Sequence, residues 1–334
     1  MSDSRLGLFG YSPRPPSRHI REIKKYLGMK TLEAAIPGEL KRPGKRLTHY
    51  ERMGGLTNRN YKLQLGDESL VLRLPGRGTG RFINRSHERF NQYEAAKAGF
   101  SPEVLYFNKV TGIKISSFLQ DALTLSPELA CERAYYMRIA RFLRDFHSAP
   151  VRFGNAFNGF AMSRTYETIA KARFAKFYKG YADVRNRVFA LEARLAADPV
   201  EPRACHNDLV PENFLEVDGR LQLIDWEYSG MNDPAWDIGS FLLESEFATD
   251  SAEDFLAEYL GGGGAVEASL ARVKAYQALQ DFLWSLWSLL QASACRGSEK
   301  EAYYMRYGLE RFERARRTAY AFEADYSIIR KIGK

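Results

Sequence analysis

Short strand-like runs fill residues 46–118 of this chain, and helix-period runs fill almost everything after Ser126. That change of period constrains the fold more than any other feature. RLTHYERM, NYKLQL and SLVLRLP read as strands parted by the turn formers GGLTN and GDE, and EVLYF and GIKISSF read as two more. An antiparallel sheet is the expectation. One charged helix, RFINRSHERFNQYEAAKAG, interrupts the strands and stops at Gly99, with Pro102 close behind. SPELACERAYYMRIARFLRDFH then opens on a cap-like Ser-x-Glu and continues at helical spacing. Helices dominate from there. The exception is FLEVDGRLQLIDW, two alternating runs joined by Asp218-Gly219, a dipeptide favoured in tight hairpins. The predicted class is α+β and bilobal: a basic extension over 1–45, a small antiparallel β-rich N-lobe with one helix over 46–118, and a larger, mainly helical C-lobe over 119–334.

With 334 residues and close to half of them apolar, the chain can bury a sizeable core. Cys131, Cys205 and Cys295 are odd in number and form no C-x-x-C pair, which argues against a disulfide framework or a zinc knuckle and for a reducing cytoplasm. Prolines interrupt the short apolar stretch near the N-terminus, so a secretory signal is not expected. Net charge is +8, of which residues 1–50 contribute +7 through eleven Lys/Arg against four Asp/Glu. This basic arm lacks the interleaved aromatics of a nucleic-acid reader and reads as a solvated tail. The apolar run FLWSLWSLL, 282–290, is half the length a membrane span needs.

The chemistry concentrates in CHNDLVPENF, where His206-x-Asp208-x4-Asn213 is followed seventeen residues after Asp208 by Asp225 in LIDWEY. Phosphoryl transfer from ATP needs a carboxylate at the attacking hydroxyl, plus an Asn and a second Asp to hold Mg²⁺ against the phosphates. In the protein-kinase pattern these groups flank a hairpin, and VDGR supplies one here. Upstream, Gly54 and Gly55 in GGLTNRNY have no Cβ to block backbone approach, and Thr57 and Asn58 add polar groups, which suits a loop covering phosphates. Arg73 stands where a kinase-like N-lobe, the nucleotide-binding part, places its phosphate-contacting base. Glu88 on the next helix is spaced to pair with it.

GGLTNRNYKL, LVLRLPGRGTGRFINR, SPEVLYF, HNDLVPENF, LIDWEYSGMNDPAWDIG and LWSLWSLLQA, in this order, resemble the choline/ethanolamine kinases of the aminoglycoside-phosphotransferase-like group. The likeness covers 46–316. It implies a protein-kinase-like fold and an ATP- and Mg²⁺-dependent transfer of the γ-phosphoryl to the hydroxyl of a small amino alcohol, with choline as the expected substrate. Asp208 falls on the family's catalytic base with His206 beside it, Asn213 and Asp225 on its metal ligands, and Asp237 on a residue bracing the catalytic loop. Trp284, Trp287, Tyr228 and Tyr307 fall on the walls of its choline pocket, with Glu244 a nearby anion.

Independent physics supports those walls. A quaternary ammonium cannot donate a hydrogen bond and is held by aromatic faces, at about 0.5–2 kcal/mol per ring. Trp284 and Trp287, at i and i+3, share one helix face. Two departures bear on the substrate: Val210 stands where animal members of the family tend to carry Gln, and Phe247 is the nearest match to a second aromatic after Glu244. The competing readings are a kinase for ethanolamine, another small amine or an aminoglycoside-like substrate, and an inactive pseudokinase. The sequence leaves monomer against homodimer open.

Overall fold

The strands form where alternation dictates. In the computed structural model, which describes residues 29–40, 46–55, 58–76 and 83–332, the run NYKLQL lies in β2 (Arg59–Leu65), paired antiparallel with β1 (Leu47–Arg52) and β3 (Glu68–Leu74). Register pairs Tyr61 with Leu72 and Leu63 with Leu70, which stacks these side chains on one face. All four are buried. With β4 (Val104–Phe107) and β5 (Lys114–Ser117) the sheet order is β1-β2-β3-β5-β4. Helix α1 (Met29–Ala35) adds Leu32 to this core, and Ile36 follows just beyond it. Residues 29–36 thus depart from the solvated tail expected from charge, because two apolar side chains one turn apart find a sheet face to cover.

The described residues fall into two compact units, one up to Gly76 with Leu105–Phe118, the other within Arg77–Val104 and Leu119–Lys334. Helix α2 (Arg85–Lys97), grouped with the N-lobe on sequence, belongs to the larger unit. Asn84 caps it by accepting from the backbone N–H groups of Ser86 and His87, and the chain leaves it through Gly99 at φ +85°.

The single helix expected after Ser126 is two. Ser126 caps α3 (Pro127–Ala130), Cys131 donates its thiol to Ser245 O at 2.8 Å, and Glu132 turns extended before α4 (Arg133–Ser148). The larger unit continues through α5 (Gly159–Ala172), α6 (Tyr181–Ala197), α7 (Pro234–Glu244), α8 (Thr249–Tyr259), α9 (Val266–Ala294) and α10 (Glu299–Ile332). Among these lie β6 (Leu123–Thr124), β7 (Arg203–Cys205), β8 (Phe214–Val217), β9 (Arg220–Leu223) and β10 (Gly230–Asn232). The β8/β9 hairpin turns on Asp218 and Gly219, both at positive φ, as the dipeptide predicts. Helix α9 is buried along most of its length, and its core partners include Phe312, Phe189 and Trp236. Burying side chains of this size contributes about 1.5–3 kcal/mol each. Among the described residues no helix is long and apolar enough to cross a membrane.

Candidate active site

Strand β7 runs into the loop 206–213, and helix α7 holds that loop from behind. Asp237, wholly buried, accepts the backbone N–H of His206 on Oδ2 and that of Asn207 on Oδ1, each at 2.7 Å. Trp236 donates its indole N–H to Asn207 O at 3.1 Å, and Ser240 donates its hydroxyl to Leu209 O at 3.1 Å. Asn207 takes a left-handed φ of +67°, which Asn tolerates better than most residues. Its amide donates to Tyr228 O and accepts from Asn232. His147 lies 3.2 Å from Asp237 Oδ2. Asp237 therefore sits where a brace for the loop is needed.

The geometry corrects the grouping of His206 with Asp208 as a catalytic pair. The imidazole is fully buried, donates from Nε2 to Ile224 O at 2.9 Å, and meets Trp226 edge-on. Burial holds its pKa below the usual histidine value. His206 ties the loop to the residue that follows β9 and is shielded from solvent.

Asp208 keeps some exposure. Burial first, then the charges of Asp225, Glu227 and Glu244, push its carboxyl well above the ordinary range, and Arg311 offsets part of this. Asn213 ends the 3-10 turn Pro211–Asn213 and donates its amide N–H to Asp208 O at 2.9 Å. That bond leaves the amide oxygen as the atom available to a cation. Asp225 is left-handed (φ +67°, ψ +59°) at the start of the 3-10 turn Trp226–Tyr228. Carboxylate oxygens of Asp225, Glu227 and Glu88 lie within 4.8 Å of one another. An all-oxygen set of this kind suits a hard divalent cation. Arg85 tempers the charge, reaching Glu88 at 2.5 Å and Glu227 at 3.3 Å.

Sequence reasoning missed Glu227 and Arg85. The Asp-x-Glu spacing in LIDWEY was the available signal for the first. A second ligand-like group, His147, Cys205 and Asp237, does not fit a metal, because Asp237 is spent on backbone amides and burial pushes the Cys205 thiol far up.

The expected aromatic walls come together in one continuous run. Tyr228 meets Trp284 at 5.4 Å between ring centroids, Trp284 meets Trp287 at 6.4 Å, and Trp287 meets Tyr307 at 6.3 Å, all edge to face. Trp287 also contacts Tyr304. Trp284 is 8 % exposed and Trp287 more open. Helices α9 and α10 approach closely here because residue 308 is glycine: a Cβ would lie 2.6 Å from Ser288 Oγ and 2.1 Å from the Tyr178 hydroxyl. Glu244, expected as a nearby anion, is paired with Arg311, which also reaches Asp281 at 3.1 Å and lies over the Tyr307 ring at 5.0 Å. A cavity of about 180 Å³ opens beside Glu227 and Tyr228, with Asn84, His87, Asn155 and Met162 on its walls.

In the smaller unit, Gly55 has φ +134°, and a Cβ there would come within 2.6 Å of Asn58 O, so this turn requires glycine. Asn58 accepts the N–H of Gly76 on its side-chain oxygen. Arg73 is buried, donates to Gly112 O at 3.4 Å and lies over the Phe107 ring. Thr57 lies outside the described residues. Glu88 is in the larger unit with Arg85.

Residues 51–316 match the family model described as choline/ethanolamine kinase. Protein LicA of Haemophilus influenzae is 33% identical over 246 residues, spanning 72% of each chain. Among solved structures, a choline/ethanolamine kinase family protein from Mesorhizobium loti shares 35% identity and a TM-score of 0.72, over 87% of this chain and 95% of that one. LicA in complex with AMP shares 32% identity and a TM-score of 0.74, over 88% and 98%. The fold is accordingly protein-kinase-like, and the chain belongs to the choline/ethanolamine kinase family, phosphotransferases with an alcohol group as acceptor.

Proposed function

We propose that this protein transfers the γ-phosphoryl group of ATP to the hydroxyl of choline, giving phosphocholine, with Mg²⁺ as the metal. The observation that carries the choice of substrate is the aromatic run Tyr228, Trp284, Trp287 and Tyr307, in the same compact unit as Asp208. A trimethylammonium group needs no acceptor and is attracted by ring faces.

Asp208 takes the role of general base. The choline oxygen forms a bond to the γ-phosphorus as the bond to the β-phosphate oxygen breaks, and the hydroxyl proton passes to the Asp208 carboxylate. Asn213, Asp225 and Glu227 would hold Mg²⁺, which when bound supplies positive charge against the phosphates. Asp237 and His206 keep the loop at one geometry. Gly55, Asn58 and Arg73 are assigned to the nucleotide in the smaller unit, with Glu88 as a supporting carboxylate in the larger. Presence of Asp208, Asn213 and Asp225 together argues against a pseudokinase.

The test is ATP turnover across choline, ethanolamine, thiamine and an aminoglycoside. The proposal expects the highest kcat/KM with choline. A higher value with any other member of the panel, or no turnover of choline, overturns it.

A further inference from the structure

Beneath the aromatic wall lies a buried ion network that the proposed reaction does not use. Arg311, on α10, is 5 % exposed and joins Glu244, the last residue of α7, to Asp281 on α9, three residues before Trp284. Asp281 has a second partner, Arg314, at 2.8 Å. Of the partners found for Glu244, Arg311 is the charged one. Two carboxylates thus meet two guanidiniums, and the network is balanced before any substrate arrives. Arg311 also lies over the face of Tyr307, one of the walls.

That balance discriminates between amines. A primary ammonium carries three N–H donors and seeks acceptors, a free carboxylate above all, whereas a trimethylammonium has none to satisfy. With Glu244 bonded to Arg311, which lies over the Tyr307 ring, this carboxylate offers little to an N–H donor, and attraction falls to the ring faces.

We infer that Arg311 is a specificity-determining positioning residue: by neutralising Glu244 and backing Tyr307, it makes the pocket prefer a quaternary over a primary ammonium. The inference rests on the reading of this site as a choline site. Wild-type turnover of choline and ethanolamine is therefore measured first. Failure of both amines there sinks the functional proposal itself and is distinct from failure of the role assigned to Arg311.

The experiment compares the ratio of kcat/KM for choline to that for ethanolamine in Arg311→Met, Arg311→Lys and the double variant Arg311→Met with Glu244→Gln, with melting temperatures alongside. Freeing Glu244 in Arg311→Met should lower the ratio about tenfold, equivalent to about 1.4 kcal/mol. Removing the freed carboxylate in the double variant should return it to within about twofold of wild type, and replacing a buried pair together is tolerated far better than orphaning one partner. If Arg311→Met does not fold, Arg311→Lys is read instead. Its shorter, single ammonium does not span both carboxylates, so the ratio should fall by about threefold or more. A purely structural Arg311 would lower both kcat/KM values together, and an unchanged ratio in the readable variant overturns the inference. So does a double variant whose ratio stays as low as that of the single.

Discussion

The loop at 206–213 and the aromatic wall on α9 and α10 are held by different physics. Directional bonds fix the loop: two backbone amides end on one buried carboxylate, and an indole and a hydroxyl from the same helix hold two of its carbonyls. Packing fixes the wall, in edge-to-face rings over a buried ion network. The contrast reflects the task of each. A proton acceptor must sit within a few tenths of an ångström of a reacting atom, whereas a cation over a ring face tolerates looser placement. Damage to the loop should therefore appear in kcat and damage to the wall in KM.

The largest effects should come from the loop. Asp208→Asn keeps the shape and removes the base, so kcat should fall by ~10²–10⁴-fold with a melting temperature close to that of the parent. Single-turnover rates near wild type would remove Asp208 from that role. Asp225→Ala should abolish turnover even at saturating Mg²⁺, and Asn213→Ala should weaken it with partial rescue by added Mg²⁺, because a carboxylate is the stronger ligand. A titration of rate against Mg²⁺ for both variants separates them, and parental rates in Asp225→Ala would contradict the metal assignment.

Next in size is the support behind the loop. Asp237→Ala leaves two buried amide N–H groups without their acceptor, at about 1–3 kcal/mol each. Denaturant unfolding should register that loss, and kcat should fall with it. Unchanged stability would mean that the loop has another brace. In the wall, Trp284→Leu should combine two smaller effects. The buried indole is exchanged for a smaller side chain, at a cost of roughly 1–3 kcal/mol, below the loss seen on full truncation to alanine. Its KM for choline should rise as well. Calorimetry beside steady-state kinetics checks both.

Much of this was legible without coordinates. Local patterns carried the strands of 46–118, the hairpin at Asp218-Gly219 and the stop at Gly99, because alternation, turn chemistry and capping act over a few residues. That Asn213 would lie beside Asp208 was legible because a short loop imposes a fixed spacing on them. The break at Cys131 and Glu132 was not, since the thiol bond to Ser245 O spans more than a hundred residues. The setting of His206 was not legible for a related reason: its partners Ile224 and Trp226 lie about twenty residues further along the chain. Arg311 was invisible because its ionic partners come from two other helices, and nothing in YYMRYGLERFERARR distinguishes it from its exposed neighbours.

The central claim is that the tryptophans bind a cation instead of merely packing, and Trp287 tests it most directly because it is the more exposed of the two. In Trp287→Leu, KM for choline should rise about tenfold, the equivalent of ~1–2 kcal/mol of lost attraction between cation and ring, while KM for ATP and the melting temperature stay close to wild type. A lowered melting temperature with KM for choline unchanged would contradict the account and leave Trp287 as packing.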